Sequence, residues 1–327
     1  EWTIVAIVVL GLLFDYTNGF HDAANVVATV IATRALAPLS AIVMAGVLNF
    51  IGATQISGVA QTIASGLARS EEISQIVVLS TVLGAILWNL VTWYYGMPSS
   101  SSYALIGGLL GSAWAHEGMD AIFWDQVGRM VLVPMALSPC IGFFFSFVFM
   151  KVLFYYLTKR PSVENKKIFK HLQIGSACFV ALSHGLNDAQ KSMGIITLGL
   201  FSAGHLVSPI IPFWVIIACA VVMGLGTGSG GFRIIRTMGF SITELNSVQG
   251  FAAELSASTV ILTASFLGMP VSSTHVIAGG ITGVGIAKSK SAVDWSVPRK
   301  ILLAMCFTLP GCSILGAGLY FFLRMVT

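Results

Sequence analysis

Apolar stretches recur along the whole chain, and short polar segments separate them. They lie at 2–14, 36–53, 73–95, 130–158, 172–182, 210–225, 254–268 and 301–323. Only 9% of the 327 residues are charged, whereas soluble domains carry about 25% charged residues. The mean hydropathy is +0.89. Such segments form membrane-spanning helices, because a helix satisfies its own backbone hydrogen bonds. The pattern predicts an all-α polytopic membrane protein.

Two polar motifs occur twice, in the same order. TNGFHDAANV matches SHGLNDAQKS, which places Asp22 opposite Asp188, 166 positions later. The hexamer MPSSSS matches MPVSST, 172 positions later. Two motifs in one order at nearly equal spacing indicate an internal repeat. We predict two homologous halves, 1–158 and 171–327, joined by a basic linker at 159–170.

The charged residues predict how the chain crosses the membrane. The positive-inside rule places the basic linker in the cytoplasm. If the other basic clusters are also inside and the acidic loops near Glu71 and Glu117 are outside, each half crosses an odd number of times. The two halves are then inverted repeats, and both termini are extracytoplasmic.

Two segments should begin and end on the same side of the membrane. These are 73–115 and 243–288, and each contains Gly-Met-Pro near its middle. We predict re-entrant helical hairpins that enter from opposite sides, with a serine cluster at each tip. The alternative, a fully spanning segment, stays open because 73–95 is longer than half a bilayer requires at about 1.5 Å per residue.

The first motif forms a polar stripe on a helix that we expect to be broken. Spacings of three and four residues place five polar residues on one face of the helix: Asp15, Asn18, Asp22, Asn25 and Thr29. In the second half, His184, Asp188 and Lys191 repeat this spacing. Carboxylates inside a membrane usually mark an ion or substrate pathway. A buried salt bridge or a capped kink is the alternative.

The repeated hexamers carry more hydroxyl groups than helix capping requires. The aligned residues are Ser100, Ser101 and Ser102 in the first half and Ser272, Ser273 and Thr274 in the second. Each cluster follows a proline and begins a helix. A helix N-terminus attracts anions through its free N–H groups, and one hydroxyl is enough for a cap. We therefore expect the clusters to bind an anion.

Two carboxylates and two anion-attracting helix ends conflict unless cations also bind. A divalent oxyanion together with Asp22 and Asp188 carries a charge of −4, and Lys191 returns only +1. About two monovalent cations would relieve this excess. Besides unwound backbone carbonyls, the expected ligands are Asp22, Asn25, Asp188, Asn18, Thr29 and Glu254. Phosphate suits the carboxylates better than sulfate does, because phosphate can keep a proton to donate.

These motifs resemble those of a known family. NGFHDAANVVATVIATR, SHGLNDAQKSMGII and GMPVSSTHVIAGG are similar to signature segments of the PiT family of inorganic phosphate transporters, bacterial branch. The resemblance covers both halves. It implies a central phosphate site, coupling to Na⁺ or H⁺, and a homodimer in the cell membrane. The chain departs from the family pattern at His21 and at Gln190-Lys191.

We therefore predict a secondary transporter that moves inorganic phosphate with Na⁺ or H⁺ by alternating access, without a cofactor or a nucleic-acid partner. The expected phosphate ligands are Asp22, Asn25, Ser100, Ser101, Ser102, Asp188, Gln190, Lys191, Ser272, Ser273 and Thr274. A sulfate or other oxyanion carrier is the close rival. A membrane enzyme acting on a phosphorylated lipid would need a converging metal triad or a nucleophile, and we expect neither. A passive anion channel would not need two buried carboxylates.

Overall fold

The computed structural model describes residues 2–159 and 163–326, and these residues fold into thirteen α-helices. The first part of the chain contains α1 (Trp2–Ala32), α2 (Pro38–Ala53), α3 (Gly58–Gln61), α4 (Gln75–Tyr94), α5 (Ser101–Glu117), α6 (Trp124–Val127) and α7 (Val133–Lys159). The second part contains α8 (Val163–Ser202), α9 (Phe213–Ser229), α10 (Phe232–Phe240), α11 (Ser247–Phe266), α12 (Ser273–Lys288) and α13 (Ser296–Val326). A π-helical turn, Thr62–Gly66, extends α3, and another, Gly128–Leu132, joins α6 to α7. The predicted all-α class is confirmed.

Several of these helices can cross a membrane. By length and composition, α1, α4, the continuous helix Trp124–Lys159 and α13 each suffice. Two more spans result if each bent pair crosses once: α2 with α3 and its π-turn, bent by 65°, and α9 with α10, bent by 69°. The predicted multi-pass membrane protein is confirmed.

The helices that carry the repeated motifs are not broken, which corrects the expectation from the sequence. Both α1 and α8 are continuous, and the breaks lie in the two bent pairs instead. At the second break, Gly230 adopts a φ of +70°, a conformation that glycine reaches without steric cost. Side chains from neighbouring helices meet some of their polar residues, such as Asp15 and Asp188, without a break in either motif helix.

The predicted linker is mostly helical where it is described. Helix α7 ends at Lys159, and α8 already begins at Val163. Residues 160–162 lie outside the described residues. The remainder, 163–170, therefore forms the first turns of the second motif helix.

Two pairs of helices lie at the positions predicted for the hairpins. Helices α4 and α5 form the first, and α11 and α12 form the second. An antiparallel bridge joins Ala68 to Ile122 on either side of the first pair, and another joins Thr243 to Val293 on either side of the second. The two ends of each helix pair therefore lie next to each other. In the interior the tips meet, because the ring of Tyr103 stacks on that of His275 with centroids 5.7 Å apart.

The hairpins start at opposite ends of α8. Near the end of α8, Gly199 packs against Val78 in the first turn of α4. Near its beginning, the side chain of Gln173 packs against Gly250 in the first turn of α11. The two tips therefore approach the middle of α8 from opposite directions.

Glycines let the second arm of each hairpin lie close to a long helix. Gly107 and Gly111 of α5 face backbone carbonyls of α13, and Gly279 and Gly283 of α12 face backbone carbonyls of α7. A Cβ atom at any of the four would overlap a carbonyl oxygen. Small residues at such interfaces allow the close packing that holds membrane helices together. The tips are thus supported by rigid elements.

Candidate functional site

Asp188 of α8 lies at the centre of a buried polar cluster. Its Oδ1 forms an ion pair with Lys191 Nζ, and its Oδ2 lies 2.7 Å from His184 Nε2. The same Oδ2 accepts a hydrogen bond of 2.7 Å from Ser273 Oγ at the second hairpin tip. Spacings of three and four residues place His184, Asp188 and Lys191 on one face of α8. The carboxylate is therefore both buried and fully engaged.

Lys191 connects this carboxylate to both hairpin tips. Its Nζ donates to Ser102 Oγ at the first tip and, over 3.1 Å, to Val271 O at the second. The side chain is 0% exposed. A buried ammonium group needs such oxygen partners, because an unpaired buried charge is very costly. Lys191 is thus surrounded by a carboxylate, a hydroxyl and a backbone carbonyl.

The carboxylate of the first motif joins the same cluster. One ligand atom each of Asp22, His184 and Asp188 lies within 4.8 Å of the other two, although the aspartates are 166 positions apart in sequence. His21 Nδ1 lies 2.7 Å from Asp22 Oδ1, and Thr92 Oγ1 lies 3.1 Å from its other ring nitrogen. The expectation that no metal-binding triad converges is therefore wrong. These three side chains do have that geometry.

Asn25 links α1 to the second hairpin tip. Its Nδ2 donates to Thr274 Oγ1 over 2.9 Å and to Ser273 Oγ over 3.2 Å. The amide lies one turn beyond Asp22 on the buried face of α1. Both motif helices therefore contact a hairpin tip, as the repeated spacing predicts.

Within each tip, the hydroxyls play different parts. Ser100 accepts from Tyr103 N over 3.2 Å, and Ser272 accepts from His275 N over 3.4 Å. These two residues are the N-caps of α5 and α12. The hydroxyls that follow lie in the first helical turns, at Ser101, Ser102, Ser273 and Thr274. The hydroxyls that are not caps therefore either bond to the central cluster, as those of Ser102, Ser273 and Thr274 do, or have no partner among the described residues, as that of Ser101 does.

Buried polar atoms without a partner among the described residues occur in both halves, and several of them lie on the first motif helix and the first tip. They include Ser101 Oγ, Asn25 Oδ1 and both amide atoms of Asn18. Polar atoms buried in proteins are normally hydrogen-bonded. These atoms can therefore serve a ligand without giving up a contact within the protein.

Thr29 and Glu254, both predicted cation ligands, meet in a second buried cluster. Thr29 Oγ1 donates to Glu254 Oε1 over 2.5 Å, and Gln173 Nε2 donates to the same oxygen over 3.2 Å. Ser176 Oγ donates to Glu254 Oε2. Thr29 lies seven residues beyond Asp22, about 10 Å along α1. The sequence-predicted cation ligands therefore divide into two groups.

The positions that the repeat pairs with this Glu254 cluster are apolar. The aligned positions for Gln173, Glu254 and Thr29 are Ile7, Val82 and Ile195, respectively. All three belong to one buried apolar cluster. The two halves differ in polarity here, although they share the central carboxylates.

Gln190 does not join the central cluster. Its Oε1 accepts from Ala60 N over 3.0 Å, and its Nε2 donates to Leu186 O over 2.5 Å. The side chain thus holds the start of a bent segment against α8. Asp15, at the other end of the predicted stripe, accepts a bond of 2.7 Å from Ser192.

Three residues of α8 that belong to these clusters were not among the site residues predicted from the sequence. They are His184, Gln173 and Ser176. His184 already lies on the predicted polar stripe, and extending that stripe towards the N-terminus of α8 reaches Ser176 and Gln173.

Comparison with known proteins identifies the family. The model of the phosphate transporter family matches residues 18–167 and 158–316. The chain belongs to the phosphate transporter family. Membership of this transporter family excludes an enzyme, which the geometry of the triad alone does not. The resemblance deduced from the motifs is confirmed.

Relatives in the phosphate transporter family match nearly the whole chain. A probable low-affinity inorganic phosphate transporter of Bacillus subtilis (strain 168) is 41% identical over 325 residues, covering 98% of this chain and 97% of its own length. One from Rhizobium meliloti (strain 1021) is 41% identical over 320 residues, covering 97% and 96%.

A solved structure described as "The sodium-dependent phosphate transporter" has the same fold. It is similar to this chain with a TM-score of 0.90 and 25% identity, over 100% of both chains. The arrangement of helices and hairpins is therefore shared with a phosphate transporter of known structure.

Proposed function

We propose that this protein is a secondary active transporter that carries inorganic phosphate together with Na⁺. The observation that supports this most is the meeting of Asp22 and Asp188 with two hydroxyl-bearing helix N-termini in one buried cluster. Helix N-termini bind oxyanions, and buried carboxylates mark ion pathways. Phosphate is favoured over sulfate because an adjacent carboxylate can accept its proton.

Phosphate would bind between the two tips. Its ligands would be Ser101, Ser102, Ser273, Thr274, Asn25 and Lys191, with Asp22 and Asp188 as proton acceptors. Some hydroxyls now bond to protein groups, such as Ser273 to Asp188. These hydroxyls would turn towards the anion when it enters.

Na⁺ would bind at oxygen atoms next to the phosphate. Asp22, Asn18 and Asn25 offer carboxylate and amide oxygens on the first-half side. Glu254 and Thr29 offer a second group about 10 Å away along α1. The description of the solved relative as sodium-dependent supports Na⁺ over H⁺.

Transport would proceed by alternating access between two inverted repeats, 1–158 and 171–327. The opposed directions of the hairpins support this arrangement, because inverted repeats with midplane sites typify such carriers. In this proposal the protein is a homodimer in the cell membrane, and both termini are extracytoplasmic.

The test is uptake of radiolabelled phosphate into proteoliposomes with an inward Na⁺ gradient, an inward H⁺ gradient, or neither. We expect Na⁺ to stimulate uptake, and excess sulfate to leave it unchanged. Asp22→Asn and Asp188→Asn should abolish stimulated uptake, whereas Asp125→Asn, which removes an exposed partner of Arg129, should retain it. Equal uptake with and without either cation gradient would contradict coupling, and full competition by sulfate would contradict the substrate.

A further inference from the structure

We propose that Lys191 is a tethered cation that permanently fills one of the two central cation sites. Of the two positions beside the central carboxylates, only the one beside Asp22 then takes an exchangeable ion. This inference rests on the proposed phosphate transport and specifies how many cations accompany each phosphate.

The surroundings of Lys191 Nζ are those of an alkali-metal site. Its partners are a carboxylate oxygen of Asp188, the hydroxyl of Ser102 and the backbone carbonyl of Val271. Transporters use these same oxygen types to coordinate Na⁺. The ammonium group occupies the position that an ion would take between the carboxylate and the two tips.

Comparison of the two halves shows that an ammonium group in one half replaces an amide in the other. Lys191 aligns with Asn25, and Ser102 aligns with Thr274. In the first half the Asn25 amide donates to Thr274, and in the second half the Lys191 ammonium donates to Ser102. The two contacts are equivalent by position, but only the second brings a positive charge.

The two carboxylates also differ in how completely the protein surrounds them. Asp188 has three side-chain partners, Lys191 among them. Near Asp22, by contrast, Asn18 and the Asn25 carbonyl oxygen have no partner among the described residues. Oxygen ligands are therefore available to an exchangeable cation beside Asp22. Both carboxylate oxygens of Asp188 are already bonded, although the amide oxygen of the preceding Asn187 also has no partner among the described residues.

The balance of charge around the two carboxylates also indicates that Lys191 replaces a bound cation. Lys191 offsets Asp188 within one ion pair, whereas Asp22 has no lysine or arginine partner among the described ion pairs. A site with asparagine at both positions would need one more cation to hold the same phosphate. This protein should therefore move one fewer cation per phosphate than such a symmetric site.

The experiment counts cations bound by wild type and by Lys191→Asn. Purified protein in detergent with saturating inorganic phosphate is titrated with ²²Na⁺, and phosphate-coupled charge movement is measured in proteoliposomes. We expect Lys191→Asn to bind one more Na⁺ per protein and to move one more charge per phosphate. The double variant Asp188→Asn/Lys191→Asn removes both charges of the pair and should return the Na⁺ count to the wild-type value.

A reciprocal variant keeps the test decisive if Lys191→Asn does not fold. Asn25→Lys places an ammonium group on the first-half side and should bind one fewer Na⁺ than wild type. An unchanged Na⁺ count in a folded Lys191→Asn, or in a folded Asn25→Lys, overturns the inference. If wild type itself shows no cation-stimulated phosphate uptake, the proposed function fails instead, so the two failures are distinguishable.

Discussion

Neighbouring serines at the first hairpin tip have different roles. The Ser100 hydroxyl accepts a backbone hydrogen bond as the cap of α5, while the Ser101 hydroxyl is buried without a partner among the described residues. A cap contributes to the stability of its helix. A buried hydroxyl without a partner costs stability until a ligand forms a hydrogen bond with it.

Replacing each serine by alanine should therefore have opposite consequences. Ser101→Ala should raise the phosphate half-saturation concentration about tenfold to a hundredfold, since a hydrogen bond to a charged group contributes about 1.5–3 kcal/mol, and should not lower the melting temperature. Ser100→Ala should lower stability by about 1 kcal/mol with a smaller change in half-saturation. Uptake kinetics and thermal unfolding in detergent check both, and equal effects of the two variants would refute the division of roles.

Individual site residues could be predicted where the sequence repeats them. Asp22 and Asp188 were found because a costly polar group recurs at one spacing. The sequence could not separate Gln190 from Lys191, because adjacent helical positions point in different directions and only the neighbouring helices decide which one enters the site. It also could not show that Gln173 would face Glu254, since the contact joins residues 81 positions apart.

At the scale of elements, the closeness of α5 and α13 depends on glycine. Gly111→Ala would drive a methyl group into the backbone carbonyl of Ser313. We expect a lower melting temperature and less coupled uptake, because the tip would shift with the helix. Gly318→Ala is the matched control: no atom lies within 4 Å of the position that a Cβ would take at this α13 glycine, and alanine favours helices over glycine by about 1 kcal/mol.

Thermal unfolding in detergent compares the two glycine variants. Gly318→Ala should melt at or above the wild-type temperature, while Gly111→Ala should melt below it. If both variants behave like wild type, the close helix contact does not support the hairpin.

The two helix pairs were predictable because charge and proline both mark them, and their re-entry from one side of the membrane stays a prediction. Acidic loops flank the first hairpin, and Gly-Met-Pro interrupts each one in mid-segment. The continuity of α1 and α8 was not predictable from the same signals. A polar stripe can be satisfied by unwinding the backbone or by side chains from other helices. In this fold other helices supply partners for part of the stripe, as Ser192 does for Asp15, and Asn18 has no partner among the described residues.

For the whole molecule, the proposed inversion predicts which positions share a side of the membrane. In a background with all five cysteines replaced, single cysteines at Glu71 and Glu117 should react with an impermeant thiol reagent from outside the cell. Cysteines at Glu244 and Lys288, at the base of the second hairpin, should react only from the cytoplasm. All four positions are exposed.

The labelling pattern also tests the hairpins themselves. If Glu71 and Glu117 react from opposite sides, the first segment spans the membrane. If all four positions react from the same side, the two halves are not inverted.

The Glu254 cluster makes the two sides of the central cluster, towards the beginning and towards the end of α8, differ in how readily they take up water. Water enters a protein where polar atoms can bind it, and Glu254, Thr29 and Gln173 provide such atoms near the beginning of α8. The corresponding positions at the opposite end are Ile7 and Val82, which offer none. In the proposed transport cycle, an ion leaving past Glu254 would rehydrate step by step, whereas one leaving past the apolar residues would need a wider opening. The rates of loading and release should therefore differ between the two faces of the membrane.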